Sequence, residues 1–328
     1  MPEITGLVIK AHSGFFTVVT DDVTFVCNAA GRLTKGKHAE DALAVGDRVM
    51  VEPIKSEGLV NGRIVAVQPR TRVLSRVDPV VEARGTQGNE IRQIIVANLD
   101  LVAFVFSCAE PEFHPRMLDR YLVGAEAQQL PVLIVANKVD LVGHVAARAL
   151  FSVYESLGYP IIYASAQLPS PSGIRAGGEG ELMGVNDLRA RLHGKVSVLT
   201  GKSGVGKSSL LNALKPGLEQ EVGRVSAAWK KGKHTTVVPE LIALDETSWI
   251  ADTPGIRAYA IWDVEAEEVD AYFREIAPLV SQCEFSNCTH THEPGCAVIK
   301  AVAEGAITHG RYDSYVKLRE ELERKRKW

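Results

Sequence analysis

The chain has 328 residues, 46% of them apolar and 23% charged, with a formal net charge of −3 at pH 7. This length suggests two or three domains, and the composition excludes wholesale disorder. A pI near 6.3 gives no global sign of a nucleic-acid partner. The longest apolar stretch, Ile94 to Phe106, is broken by Asn98 and Asp100, so no membrane span is expected. Met1-Pro2-Glu3 lacks the basic start and apolar core of a signal peptide, which predicts a cytoplasmic protein.

In chain order, residues 1–68 read as a small β-barrel. Ile4–Lys10, Gly14–Thr20, Val23–Asn28, Asp47–Glu52 and Arg63–Val67 are rich in Val, Ile, Phe and Thr and are punctuated by turn residues. Five short strands suit an OB-fold, and an SH3-like barrel would read much the same. Residues 69–93, with Arg70, Arg72, Arg76, Arg84 and Arg92 against Asp78, Glu82 and Glu90, lack clear periodicity and read as a linker.

Residues 94–262 follow an α/β grammar. Strands are predicted at Leu99–Phe106, Val132–Ala136, Ile161–Ala164, Val196–Thr200, Val238–Leu244 and Trp249–Ala251, and a helix over Pro115–Gln128. That alternation predicts a largely parallel sheet covered on both faces. Pro169–Glu181 is rich in Gly, Pro and Ser and reads as a surface insertion. Residues 263–328 return to helices, interrupted by a cysteine cluster and ending in the charged stretch 317–327.

Gly201, Lys202, Ser203, Gly204, Val205, Gly206, Lys207 and Ser208 match G-x-x-x-x-G-K-[ST] between a predicted strand and a predicted helix. Glycines there let backbone N–H groups face phosphates. Lys207 then meets the β- and γ-oxygens, and Ser208 offers a hydroxyl to Mg²⁺. Asn137, Lys138, Val139 and Asp140 follow a strand, where α/β ligands bind. A carboxylate at Asp140 accepts from N1–H and the exocyclic amine of guanine, a donor pair adenine lacks. Ser165 and Ala166 resemble the second base-contacting loop of GTPases. The nucleotide is therefore expected to be GTP or GDP.

Asp252-Thr-Pro-Gly255 matches D-x-x-G: Asp252 holds Mg²⁺ through water, and the Gly255 amide meets the γ-phosphate. Arg224–Thr236 carries Arg224, Lys230, Lys231 and Lys233 without an acid and reads as a first switch. Either Thr235 or Thr236 could close onto Mg²⁺. The residue after Gly255 is Ile256, which cannot orient water as a glutamine does, and His234 is the nearest candidate for that task. Hydrolysis by the chain alone should therefore be near or below the ~10⁻³–10⁻⁴ s⁻¹ scale and strongly stimulated by a partner.

The motif order is inverted. NKVD and SA precede the phosphate loop and DTPG, whereas ordinary small GTPases run the other way, so the sequence reads as a circular permutation. Of five cysteines, Cys27 and Cys108 stand alone, while Cys283, Cys288 and Cys296 fall close together with His290 among them. An odd total argues against a disulfide framework, and three thiolates with one imidazole make a closed set for structural zinc. His292 is a rival ligand two residues further on.

The permuted motifs, the Gly201–Ser209 stretch, the HTT switch, the small barrel and the cysteine cluster together resemble the RsgA (YjeQ) family of circularly permuted GTPases. The resemblance covers nearly the whole chain. It implies an N-terminal OB-fold, a central GTPase domain and a C-terminal, mostly helical zinc domain with His290 as the nitrogen ligand. It also implies GTP hydrolysis, use of His234 at the switch, and binding of the 30S ribosomal subunit and 16S rRNA during subunit maturation; the chain is expected to be a monomer. Nine Lys/Arg against eight Asp/Glu in the first 72 residues leave the barrel barely basic. Phe15, Phe16 and Phe25 are possible stacking residues, of which at least two are expected in the core. Arg324–Lys327 offers phosphate contacts.

Overall fold

The computed structural model describes residues 4–34, 43–54, 60–77, 92–166, 182–217, 240–252 and 264–326. Five strands form the barrel: β1 (Ile4–His12), β2 (Phe15–Val19), β3 (Thr24–Ala29), β4 (Arg48–Ile54) and β5 (Asn61–Val67). Their order is β1-β2-β3-β5-β4, β3 and β5 run parallel, and β4 pairs back with β1 to close the circuit. Alternation sends Val8, Phe16, Val18, Phe25, Cys27, Val49, Val51 and Ile64 into the barrel core. Phe16 and Phe25 are thus core residues, while Phe15 is exposed.

The predicted linker is not a plain connector. Within it β6 (Val73–Val77) pairs antiparallel with β7 (Arg92–Ala97), which puts Leu74 and Val96 in the central core. The arginines obscured this pairing, and the partner strands are separated by residues 78–91. Asn98, in a left-handed conformation (φ 51°), closes the joint. Its Oδ1 accepts from the Thr71 amide at 2.9 Å and its Nδ2 donates to the Gly46 carbonyl at 3.0 Å. Arg70 forks onto the fully buried Asp47 through two 2.7 Å bonds.

The second sheet runs β10 (Ile161–Tyr163), β9 (Val132–Asn137), β8 (Leu101–Ser107), β11 (Val196–Thr200), β13 (Trp249–Asp252) and β12 (Glu240–Ala243). All neighbours are parallel except the antiparallel β12–β13 pair. β8 is buried along its whole length, as a strand covered on both faces must be. Val102, Phe104 and Phe106 face one core with the helices Pro115–Ala127 and His144–Ser156. Leu101, Ala103 and Val105 face the other, with Val185–Leu192 and Lys207–Leu214. The barrel joins this sheet at its edge, where Lys10 of β1 pairs with Glu240 of β12 and their side chains form a 3.1 Å ion pair.

The C-terminal region is helical: a 3-10 segment Ala266–Tyr272, short helices Ala277–Val280 and Ala297–Ala303, and the long helix His309–Arg326. The predicted charged tail helix therefore begins well before residue 317. Val264, Val269, Phe273, Ile276, Val298, Tyr315 and Leu318 build its core together with Val123 of the Pro115–Ala127 helix. Among the described residues no helix is long and apolar enough to cross a membrane.

Candidate nucleotide site and metal centre

β8, β9 and β11 end side by side, and their following loops converge. The loop after β11 turns into the Lys207–Leu214 helix through glycines with positive φ: Gly201 (153°), Gly204 (84°) and Gly206 (93°). Two of them also have no room for a side chain. A Cβ on Gly201 would lie 2.2 Å from the Val105 carbonyl oxygen, and one on Gly206 would lie 2.3 Å from Asn137 Nδ2. The buried Val205 anchors the loop, whereas Lys202, Ser203, Ser208 and Ser209 face outward. Lys207 Nζ folds over the loop and donates to the carbonyls of Gly201 at 2.6 Å and Lys202 at 2.8 Å.

The NKVD stretch is tied to this loop. Asn137 is buried at the end of β9, and its Nδ2 donates to the Val205 carbonyl at 2.9 Å. Lys138 adopts φ 62°, which starts the 3-10 turn Val139–Leu141 and leaves Asp140 at the surface. Ser165 Oγ donates to Asp140 Oδ1 at 2.6 Å, and the Val139 amide donates to the Ala164 carbonyl at 3.2 Å. Ala166 follows, half buried. Lys138 Nζ reaches the Glu110 carbonyl in the loop after β8. Beside it the Cys108 amide donates to the Asn137 carbonyl at 2.9 Å. Burial, with the nearby Asp140 carboxylate, pushes the Cys108 thiol up to about 11.

Three sequence elements thus meet at one end of the sheet: the phosphate-type loop, NKVD and Ser165-Ala166. Asp252 ends β13 in the same sheet, two strands from β8. His234, Thr235, Thr236 and Gly255 lie outside the described residues, as does the Pro169–Glu181 insertion.

Cys283, Cys288, His290 and Cys296 each present a ligand atom, all within 4.8 Å of one another. His290 Nδ1 stands 3.5 Å from Cys283 Sγ and 3.4 Å from Cys296 Sγ. Three soft thiolates and an imidazole around one point suit tetrahedral zinc. His292 is outside this set; it is exposed and pairs with Thr291 Oγ1 at 2.8 Å. His290 adopts φ 58°, and Gly295 (φ 67°) leaves the space that Glu284 fills. Sequence reasoning missed Asp270 as a contributor: its Oδ2 lies 3.2 Å from His290 Nε2, the carboxylate–histidine arrangement that orients a metal-binding ring. No local sequence signal links Asp270 to the cysteines, because the 3-10 segment brings it there. The Glu293 carboxylate organises the intervening loop, accepting from the backbone amides of Thr289, Thr291 and His292.

Comparison with known proteins decides the family. The family model described as RsgA GTPase matches residues 67–262, and that described as RsgA N-terminal domain matches residues 5–60. The chain belongs to the RsgA GTPase family. A relative from Gemmatimonas aurantiaca, named small ribosomal subunit biogenesis GTPase RsgA, is 43% identical over 319 residues, which span 97% of each chain. One of the same name from Halalkalibacterium halodurans is 35% identical over 98% of each. Among solved structures, YjeQ from Thermotoga maritima is 33% identical with a TM-score of 0.72, over 98% of this chain and 99% of its own. YloQ, described as a circularly permuted GTPase, is 28% identical with a TM-score of 0.70, over 99% and 96%. The chain is accordingly a GTP hydrolase with an N-terminal barrel, a circularly permuted GTPase fold and a C-terminal Cys₃His cluster able to hold zinc. The matched GTPase segment begins at residue 67, so it takes in β6 and the start of β7, which lie in the stretch that reads as linker.

Proposed function

We propose that the chain binds the 30S ribosomal subunit in its GTP form, assists the subunit's maturation, and leaves once GTP has become GDP and phosphate. The observation that supports this most is the Asn137–Val205 hydrogen bond. It joins a guanine-type loop to a phosphate-type loop across the ends of parallel strands, where such ligands bind. The relatives' shared name supplies the ribosomal subunit.

In this reading the amides of Gly201 through Ser209 cradle the phosphates, and Lys207 leaves its two carbonyls to meet the β- and γ-oxygens. Asp140 accepts from the guanine edge while Ser165 holds the carboxylate in place; Asn137 and Lys138 shape the base pocket with Val139 and Ala166. Ser208, Asp252 and Thr235 or Thr236 would hold Mg²⁺, which supplies positive charge to the phosphate oxygens. The Gly255 amide would meet the γ-phosphate, and His234 would orient the attacking water because an isoleucine at 256 cannot. Zinc at Cys283, Cys288, His290 and Cys296 would cross-link a lobe too small to hold its shape by apolar burial alone. The protein works as a cytoplasmic monomer that contacts 16S rRNA through basic residues such as Arg324 and the exposed Phe15.

GTP turnover by the purified chain with and without small subunits tests this, with ATP and large subunits as controls. Stimulation by small subunits alone is expected; verified GTP binding without stimulation would remove the ribosomal role.

A further inference from the structure

A buried polar cluster lies between the two candidate sites. Arg311, 3% exposed on the His309–Arg326 helix, donates Nη1 to Asp119 Oδ1 at 2.5 Å, Nε to Glu275 Oε1 at 2.6 Å and Nη2 to Glu275 Oε2 at 3.1 Å. Its guanidinium also lies 4.5 Å above the Phe273 ring. Asp119 belongs to the helix that follows β8, and the same Oδ1 accepts from Tyr154 Oη at 2.7 Å. Tyr154 belongs to the helix that follows NKVD. One guanidinium therefore engages both helices that leave the nucleotide end of β8 and β9.

The contacts continue in both directions. Toward the cysteine cluster, Tyr312 Oη donates to the His290 carbonyl at 2.8 Å and Tyr315 Oη to the Thr289 carbonyl at 2.9 Å, both from the helix that carries Arg311. Toward the nucleotide site, Tyr154 packs edge-on against Phe113 at 6.3 Å, and Phe113 lies 4.3 Å from Phe151. Phe113 shares its loop with Glu110, whose carbonyl accepts from Lys138 Nζ, and with Pro111, which flanks Gly204. A buried ion cluster is a poor device for stability alone, because desolvation consumes most of its Coulombic gain. By contrast, Arg116–Asp313 at 2.7 Å joins the same two helices at the surface and reaches no loop.

We propose that Arg311 is a positioning residue that couples the Cys₃His lobe to the guanine side of the nucleotide site. Docking of the His309–Arg326 helix holds the loop carrying Glu110 and Phe113, and through it Lys138, in the arrangement that retains nucleotide. The proposal rests on the base-binding role assigned to NKVD. Because coupling is reciprocal, nucleotide must in turn help the lobe keep its metal.

The test uses the full zinc-loaded chain and a fluorescent GDP analogue. Arg311→Lys keeps the charge but loses the fork, and Tyr154→Phe removes one hydroxyl without altering packing. Both should release the analogue about five-fold faster or more, with zinc content unchanged. The surface control Asp313→Ala should release it at the original rate. Saturating GDP should slow zinc loss to a chelator in the original chain, and that protection should shrink in both variants. Lower melting temperatures with unchanged release rates and undiminished protection would overturn the proposal and leave a purely structural cluster. Failure of the original chain to bind GDP would overturn the NKVD assignment and the proposal with it.

Discussion

Asn137 Nδ2 and the Val205 carbonyl oxygen lie 2.9 Å apart, and a Cβ on Gly206 would stand 2.3 Å from that same nitrogen. The two loops that would grip opposite ends of a nucleotide are thus fastened directly to one another. The fastening leaves no room for a methyl group.

Gly206→Ala should therefore do more harm than its backbone strain explains. Gly143 also has positive φ (81°), but no atom lies within 4 Å of a Cβ built there, so Gly143→Ala carries backbone strain without a clash. We expect Gly143→Ala to cost about 1–3 kcal/mol in urea unfolding with GDP affinity preserved. Gly206→Ala should weaken GDP binding at least ~10-fold by displacing Asn137.

On the proposed reading, Asp140 sets the base. Asp140→Asn replaces an acceptor pair by one acceptor and one donor, which suits the carbonyl that xanthine carries in place of guanine's amine. GTP affinity should fall about 100-fold while xanthosine triphosphate gains, measured by competition against a labelled nucleotide. Equal loss for both nucleotides would place the base elsewhere.

Lys207 donates to two carbonyls of its own loop, so removing it changes the loop as well as the charge it carries. Lys207→Ala should lower turnover with small subunits about 10²-fold or more, with the melting temperature of the nucleotide-free chain shifted little.

Asp270→Asn keeps the size of the side chain but removes the charge facing His290 Nε2. Zinc affinity, followed by competition with a chromophoric chelator, should drop about 10- to 100-fold. Cys283→Ser should release the metal and lower the melting temperature of the C-terminal lobe, as removal with a chelator does.

Cys27 and Cys108 make the fold alkali-sensitive. Burial raises both thiols from 9.0 to about 11. For a raised value, the stabilising difference is complete below the unfolded value and is lost as pH rises through the folded one. The window is therefore pH 9 to 11, and the loss is on the order of 2 kcal/mol per thiol. Urea midpoints at pH 8 and 10.5 should show it, and Cys27→Ala should diminish the difference.

Much of this was legible in the sequence because the signals are local. β11 falls on Val196–Thr200 as expected, and the Pro115 helix differs from its predicted span by one residue. Permutation was legible because motif order survives whatever the loops do. The β6–β7 pair was not, since its pairing spans residues 78–91 and arginines interrupt its apolar pattern. Asp270 and Arg311 were equally hidden. Each matters through a partner distant in sequence, and a buried arginine in a charged helix has the same local context as an exposed one.

The Lys10–Glu240 pairing hangs the barrel on the edge strand of the second sheet. β12 begins at Glu240, four residues after Thr236, and β1 runs back from the paired Lys10 to Ile4, a stretch of seven residues. At ~3.4 Å per residue that stretch is an arm roughly 20 Å long. A tilt of roughly 10° where β1 meets β12 would sweep its far end through about 3–4 Å. If the segment before β12 meets the γ-phosphate as proposed, a barrel hung on that strand would act as a pointer, converting the loss of one phosphate into a displacement that a ribosome-sized surface could register.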